Sequence, residues 1–342
     1  MSSECSAKST VEDASSPAEF KRPTPKHEFE GHTYDIRSFV FLPDNVHIVS
    51  GSLDGTMRKW NLDTGLVVGE PWKGAGGSIF TLALSPDGKT IACGRNDGSV
   101  QRWNTNGEMI EGVWTGHSRA QSLSWSPSGG HLASGPHDGT ILIRNSESGE
   151  VEVGPIKTEQ DWVYCLAYSP LGDRIASGGD HRTICIWDSK TGELLVGTIK
   201  DLGHIVRSVV WSSDSSKLYS ASNEFARVFD SVSGTLLHQF KNNHTLYSIA
   251  LSPKHNVLVC VGSDTAQLWD TESHQPIGQS FGQEDLFLYW VSFSRDGRYL
   301  AYGGDDNKFT LWMVTDIASD LAVRDFMSIL HGDDLHSTLV PI

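Results

Sequence analysis

The sequence has few of the features that mark disulfide-bonded, secreted or membrane-spanning proteins. It contains only five cysteines in 342 residues, widely spaced and without a C-x-x-C pair. Four of them, Cys93, Cys165, Cys185 and Cys260, lie in apolar stretches, so we expect buried free thiols in a reducing compartment. Wholly apolar runs, such as 257–261, span only a few residues, which is too short to cross a membrane.

The N-terminal residues also lack the apolar core of a secretory signal. The first twenty include Glu4, Glu12, Asp13 and Glu19, so we expect no signal peptide. Together with the cysteine usage, this predicts a cytoplasmic protein, with the nucleus left open as a second compartment.

Positive charge is scarce. The chain has 27 lysines and arginines against 42 aspartates and glutamates, a formal net charge of −15 at pH 7. An acidic surface repels phosphate groups, so we expect neither nucleic acid nor an anionic membrane as a partner.

Common enzyme signatures are missing as well. The sequence has no G-x-S-x-G nucleophile turn, no G-x-x-x-x-G-K-[ST] phosphate loop and no H-E-x-x-H zinc motif. We therefore expect no enzymatic activity, no metal and no cofactor.

One short pattern, in contrast, occurs again and again. Residues 49–65 predict a strand, an Asp-Gly turn, a second strand and a second turn, and near-copies begin at Ala92, Ala133 and Ala176. An aromatic residue closes six copies and an arginine closes the third, at intervals of 40 to 43 residues: Trp60, Trp103, Arg144, Trp187, Phe229, Trp269 and Trp312. The chain is therefore a repeat protein with seven copies.

Each copy predicts four β-strands joined by three hairpins. A turn such as Ser85-Pro-Asp-Gly88 precedes the Asp-Gly turn in most copies. A four-stranded sheet of this size cannot bury both faces alone, so it must stack on its neighbours. Seven sheets arranged radially close into a ring, and the sequence predicts an all-β fold of seven four-stranded antiparallel blades.

These residues resemble a known family. Gly31-His32, Ser50, Asp54 and Trp60-Asn61 are similar to the WD-repeat signature, as are Gly116-His117 with Asp138 and the pairs Trp187-Asp188 and Trp269-Asp270. The resemblance covers residues 26–314 and is closest to generic fungal-type WD-repeat arrays. It implies a seven-bladed β-propeller in which an N-terminal strand, near residues 25–29, completes the last blade.

Three regions follow from this interpretation. Residues 1–24 form a polar tail that we expect to be disordered, and residues 25–314 form the propeller. Residues 315–342 form a C-terminal tail with a short helix that starts at Asp316 or Ser319 and ends near Leu330. That helix either packs on the underside of the propeller or binds a partner.

The resemblance also assigns roles to the signature residues. It implies that His32, Ser50, Asp54 and Trp60 form a hydrogen-bonded chain that locks the strands of one blade together. We interpret them as structural residues and not as catalytic groups or metal ligands. Only the first copy has all four.

A second set of residues faces one end of the propeller on the family pattern. The residue before each innermost strand, and the residue before the turn aspartate, point to the top rim where partners dock. The candidate binding residues are Leu53, Arg119, His137, Trp162, Ile205 and Phe287. Trp162 and Phe287 are either exposed anchors or side chains folded inward over the channel, and a shift of one residue would replace them with inward neighbours such as Tyr164.

The leading functional hypothesis is a non-enzymatic scaffold, monomeric on its own, that docks partner proteins on its top face. One alternative is a substrate receptor of a ubiquitin ligase. Such receptors often carry Trp-Asp-x-Arg, whereas this chain has Lys190 and Glu272 at the arginine position. Another alternative, from a different class, is an enzyme with its site in the central channel.

Overall fold

A computed structural model describes residues 23–254, 256–282 and 286–318. Within these ranges the chain is almost entirely β-structure. The exceptions are a 3₁₀ turn, Asp180–Arg182, and a single-turn helix α1, Val314–Ile317. Neither is long and apolar enough to span a lipid bilayer.

The strands form seven separate four-stranded antiparallel sheets, which confirms the predicted number of blades. Strands follow one another in chain order within the first three blades. Their bounds are β2 (Ile36–Phe41), β3 (His47–Ser52), β4 (Thr56–Asn61) and β5 (Val67–Lys73) in blade 1; β6 (Ile79–Leu84), β7 (Thr90–Arg95), β8 (Val100–Asn104) and β9 (Met109–Trp114) in blade 2; and β10 (Ala120–Trp125), β11 (His131–Pro136), β12 (Thr140–Asn145) and β13 (Val151–Lys157) in blade 3.

The next three blades repeat this order. Their strands are β14 (Val163–Tyr168), β15 (Arg174–Gly179), β16 (Ile184–Asp188) and β17 (Leu194–Ile199) in blade 4; β18 (Ser208–Trp211), β19 (Lys217–Ser222), β20 (Phe225–Asp230) and β21 (Leu236–Lys241) in blade 5; and β22 (Leu246–Leu251), β23 (Val257–Gly262), β24 (Ala266–Asp270) and β25 (Pro276–Phe281) in blade 6.

Blade 7 joins the two ends of the chain. It contains β26 (Leu288–Phe293), β27 (Tyr299–Gly304), β28 (Phe309–Met313) and, as its outermost strand, β1 (His27–Phe29). β1 pairs antiparallel with β28, with Glu28 opposite Thr310. The N-terminal strand thus closes the ring, as the family resemblance implied.

The core lies between the blades and not at a single centre. The buried apolar side chains among the described residues fall into seven clusters, each built from two neighbouring blades. Serines on the innermost strands add polar ties: the backbone N–H of Leu82 donates to Ser38 Oγ at 3.0 Å, and that of Leu166 donates to Ser122 Oγ at 2.9 Å. Each blade therefore depends on its neighbours for burial and hydrogen bonding.

Outermost strands also contact the next blade through turn glycines. A Cβ added at Gly149 would lie 2.1 Å from Nε1 of Trp114, which belongs to the preceding blade. At the ring closure, a Cβ at Gly65 would lie 2.9 Å from Nδ1 of His27. β1 therefore packs against blade 1 in the same way that the outermost strand of each other blade packs against the next blade.

The described part of the C-terminal tail is one helical turn. Val314 and Ile317 of α1 are buried in the cluster between blades 6 and 7. The rest of the predicted helix, residues 319–330, and the predicted disordered residues 1–22 lie outside the described ranges. The choice between packing and partner binding for that helix stays a prediction.

Candidate partner-binding site

Blade 1 contains the hydrogen-bonded chain that its signature residues suggest. Nδ1 of His32 lies 2.8 Å from Oδ2 of Asp54, and Nε2 lies 2.8 Å from Oγ of Ser50. Trp60 donates its indole N–H to the same serine oxygen at 2.8 Å. Both partners of the His–Asp pair are almost fully buried, and burial lowers the pKa of His32, while the hydrogen bond from His32 helps to hold the pKa of Asp54 well below its usual range.

In other blades, different residues form the buried hydrogen bonds that the signature residues form in blade 1. In blade 2, where the histidine is missing, the fully buried Arg95 donates to Gln101 at 2.8 Å and to the carbonyls of Gly55 and Gly77. In blade 4, the buried Gln160 occupies the histidine position and donates to the carbonyl of Thr183 at 3.0 Å. These side chains supply buried hydrogen bonds in place of the signature residues, although Nη2 of Arg95 and Oε1 of Gln160 have no partner among the described residues.

Blade 3 is the least complete version. Nε2 of His117 lies 2.6 Å from Oγ of Ser134, but no hydrogen bond joins Nδ1 to any described residue. Burial lowers the pKa of His117 to about 4, so the ring is neutral at pH 7. Arg144 replaces the tryptophan and donates to the carbonyl of Gly149 at 2.8 Å.

The top face, defined as the end of the propeller where the innermost strands begin, carries the predicted binding residues. Trp162 and Phe287 are each 43% exposed there. Leu53, Arg119 and Ile205 are half-buried. In the fifth blade the innermost strand begins at Ser208, three residues after Ile205.

Trp162 is held by a neighbour from the adjacent blade. Its ring stacks on His137, with centroids 4.5 Å apart and planes inclined by 6°. Arg119 donates a 3.4 Å hydrogen bond to Nδ1 of His137. Burial and then the nearby Arg119 charge lower the pKa of His137, so a neutral ring lies against the tryptophan at pH 7. Three of the predicted residues thus form one contact group.

Below this rim lies a ring of seven half-buried side chains, one from each blade, which we name the mouth ring. In six of the innermost strands the pairing register with the next strand shifts at the mouth-ring residue. Such a β-bulge changes the direction in which the side chain points. In the fifth blade the mouth-ring residue directly precedes β18. The members are Arg37, Phe80, Gln121, Tyr164, Arg207, Tyr247 and Tyr289.

Arginines and aromatic rings pair within and just above the mouth ring. The guanidinium of Arg37 lies 4.4 Å from the ring centroid of Tyr289, and that of Arg207 lies 4.8 Å from Tyr247. Arg119, one residue before its strand, lies 4.8 Å from the Phe80 centroid. These side chains line a depression of about 260 Å³ in the centre of the top face. Such cation–π contacts are worth about 0.5–2 kcal/mol each and orient the arginines.

A comparison with protein families decides what kind of repeat this is. The model of the WD domain, G-beta repeat, matches six segments of the chain: 23–61, 69–104, 110–145, 152–188, 195–230 and 277–313. The chain belongs to the WD-repeat family. Blade 6 of this WD-repeat protein falls largely outside the matched segments, and there Cys260 replaces the blade-locking serine and His274 replaces the turn glycine, at φ 60°.

Similarity to curated WD-repeat relatives is partial. The chain is 28% identical over 122 residues to apoptotic protease-activating factor 1 of Danio rerio, a match that covers 35% of this chain and 10% of that protein. It is 26% identical over 117 residues to small ribosomal subunit protein RACK1y of Oryza sativa subsp. japonica, covering 32% of this chain and 35% of that protein. The matches span about a tenth and about a third of these relatives.

The mouth ring as a whole was not anticipated from the sequence. Of its members, only Tyr164 is named from the sequence of this WD-repeat protein, as an inward neighbour of a rim position and not as a binding residue. A usable signal exists, because each member directly follows a buried apolar residue (Val206 in blade 5, and the first residue of the innermost strand in the other blades), at the repeat spacing. Alignment of the copies on that buried position would have revealed the ring.

Proposed function

We propose that this propeller is a non-enzymatic scaffold that binds partner proteins through its top face. WD-repeat propellers commonly mediate protein–protein interaction, and the family membership carries that general role. The names of the two relatives, a protease-activating factor and a ribosomal-subunit protein, agree with a role among other macromolecules.

One observation supports the top face in particular. Trp162 and Phe287 expose large aromatic surface beside a concave centre, and neither exposure is needed to hold a blade together. Aromatic anchors next to a polar depression are the residues that carry most binding energy in protein interfaces. We therefore assign the role of hydrophobic anchors to these two side chains, with Leu53 and Ile205 as lesser contacts.

A pull-down with matched variants tests this assignment. The full chain would be used as bait in a lysate of cells that make it, beside a Trp162→Ala, Phe287→Ala double variant. The control is a Leu171→Ala, Val232→Ala double variant, because these residues are 72% and 69% exposed in turns at the opposite end. All three baits must melt at the same temperature.

We expect defined proteins that bind the wild type and the control but not the top-face variant. Each such protein, once purified, should bind the top-face variant at least tenfold more weakly than the control. Equal binding to all three baits would contradict the proposal and direct attention to the underside.

A further inference from the structure

The centre of the top face concentrates positive charge in an acidic protein. Arg37, Arg119 and Arg207 all line the same depression, while the chain as a whole has a net charge of −15. Among the residues that the structure describes, no carboxylate lies within 4 Å of any of the three guanidinium groups. The Nε atoms of Arg37 and Arg207 are buried and lack a hydrogen-bond partner in the same set of residues.

This arrangement is unfavourable for the free protein. A guanidinium group that is partly removed from water normally pairs with a carboxylate or with several hydrogen-bond acceptors. The guanidinium groups of these three arginines lie against aromatic rings instead. Residues that break the usual pairing of buried charges are common at functional sites. An anion supplied from outside would provide the interaction that the described residues do not.

The surroundings restrict which anion can enter. Asp161 and Asp180 lie on the same face, and Asp305 holds the backbone N–H of Phe287 at 3.0 Å. A nucleic acid backbone or an anionic lipid surface laid across the face would therefore meet these carboxylates before it reached the arginines on the floor of the depression. A narrow segment that reaches the floor avoids them.

The placement of the arginines favours several separate carboxylates over one phosphate. They belong to blades 1, 3 and 5, so the charges are spread around the mouth and each stacks on a different ring. A phosphate group is bound best where two or more donors converge on one point. The depression of about 260 Å³ admits one or two side chains at a time.

We propose that the mouth of the channel binds an acidic loop or terminus of a partner protein, whose aspartate or glutamate side chains pair with Arg37, Arg119 and Arg207. Trp162 flanks this segment on the rim. The inference rests on the proposed docking function and specifies the chemistry of the partner.

Selection of peptides tests the chemistry directly. A phage-displayed library of random peptides would be panned against the full chain, and enriched peptides would be synthesised for measurement of Kd by fluorescence anisotropy. We expect enrichment of Asp and Glu, and a loss of affinity of at least tenfold when these are replaced by Asn and Gln. Enrichment without acidic residues, or none at all, would overturn the proposal.

Variants of the protein identify the arginines. Each of Arg37→Gln, Arg119→Gln and Arg207→Gln should weaken the selected peptide by about tenfold, since charge-assisted hydrogen bonds are worth about 1.5–3 kcal/mol. The control is Arg298→Gln, an arginine with a 57% exposed side chain in a turn at the opposite end, which should leave Kd unchanged. Each top-face variant loses a cation–π contact, so its melting temperature is measured as well and Kd is compared at a temperature where every variant is folded.

The remaining outcomes separate this inference from the proposed function. The pull-down is repeated with a variant that combines Arg37→Gln, Arg119→Gln and Arg207→Gln. If the Trp162→Ala, Phe287→Ala variant loses its partner proteins while this triple variant keeps them, top-face docking stands and the acidic-segment proposal fails. Peptides that bind only when they carry phosphoserine would also overturn it, because carboxylates would then not be the ligand.

Discussion

At the residue scale, the same position in successive blades is filled by chemically different side chains. The blade-locking histidine of blade 1 becomes Gln160 in blade 4, and Asn242 accepts the indole N–H of Trp269 at 3.2 Å in blade 6. In each case a buried donor or acceptor finds a partner on a neighbouring strand. The requirement is satisfaction of buried polar groups, and several residue types can meet it.

Asp54 is the member of this set whose loss we expect to cost most. Its carboxylate pairs with His32 at 2.8 Å and accepts from the N–H and hydroxyl of Thr56, with a side chain only 6% exposed. Asp54→Ala leaves these buried donors unpaired, so the free energy of unfolding should fall by about 1–3 kcal/mol. Urea denaturation followed by tryptophan fluorescence measures this.

The matched control for Asp54→Ala is Asp138→Ala in blade 3. Asp138 is exposed and accepts from the N–H and hydroxyl of Thr140, as Asp54 does from Thr56, but His117 forms no hydrogen bond to it. This change should cost clearly less. Equal denaturation midpoints for Asp54→Ala and wild type would show that the hydrogen-bonded chain does not stabilise the blade.

At the element scale, two local features place side chains where the strands alone would not. A β-bulge at the start of six innermost strands directs the mouth-ring residue towards the channel. Turn glycines at the other end leave room for an outermost-strand side chain of the preceding blade. The first feature builds the candidate site, and the second fixes the contact between blades.

A turn glycine, Gly149, and a glycine inside strand β5, Gly69, allow a comparison at nearly equal backbone strain. Gly149 and Gly69 have φ values of +77° and +73°, but an added Cβ meets Trp114 Nε1 at 2.1 Å in the first case and nothing within 4 Å in the second. Gly69→Ala should cost about 1 kcal/mol from the left-handed backbone alone. Gly149→Ala should cost about 1–3 kcal/mol more, because Trp114 must move.

Thermal and chemical denaturation of the two alanine variants measure this difference. The change in near-ultraviolet circular dichroism should be confined to Gly149→Ala, since only that variant displaces an indole. A similar loss of stability in both variants would mean that backbone strain alone decides and that the blade contact adds nothing.

At the scale of the whole molecule, stability depends on closure of the ring. β1 contributes only three residues, yet Phe29 is fully buried and stacks on Phe309 with centroids 4.2 Å apart. It also meets Trp60 of blade 1 edge-on at 5.7 Å. A single aromatic side chain therefore connects the first and last blades.

Phe29→Ala should lower the free energy of unfolding by about 3–5 kcal/mol, as expected for the loss of a fully buried phenylalanine. Guanidinium denaturation of the full chain would measure it, with the exposed Phe287→Ala as control. A loss below about 1 kcal/mol would show that the seam is not what holds the ring together.

The family resemblance implied the closing segment near residues 25–29, and the sequence by itself determined the number of blades and their strands. These features follow from local patterns, namely alternating apolar residues, Asp-Gly and Ser-Pro turns and a period of 40 to 43 residues, so a single chain displays them directly. The same register pointed to the rim positions Trp162 and Phe287 but left open whether their side chains are exposed.

Tertiary structure alone decided how the sites are composed. Arg95 replaces a missing histidine by reaching carbonyls of Gly55 and Gly77, one of which lies in another blade. The mouth ring exists because β-bulges direct side chains about 40 positions apart in the sequence towards the same channel. Arg37 contacts Tyr289 only because the propeller closes into a ring. Contacts of this kind depend on distances between blades, which no local pattern in the chain encodes.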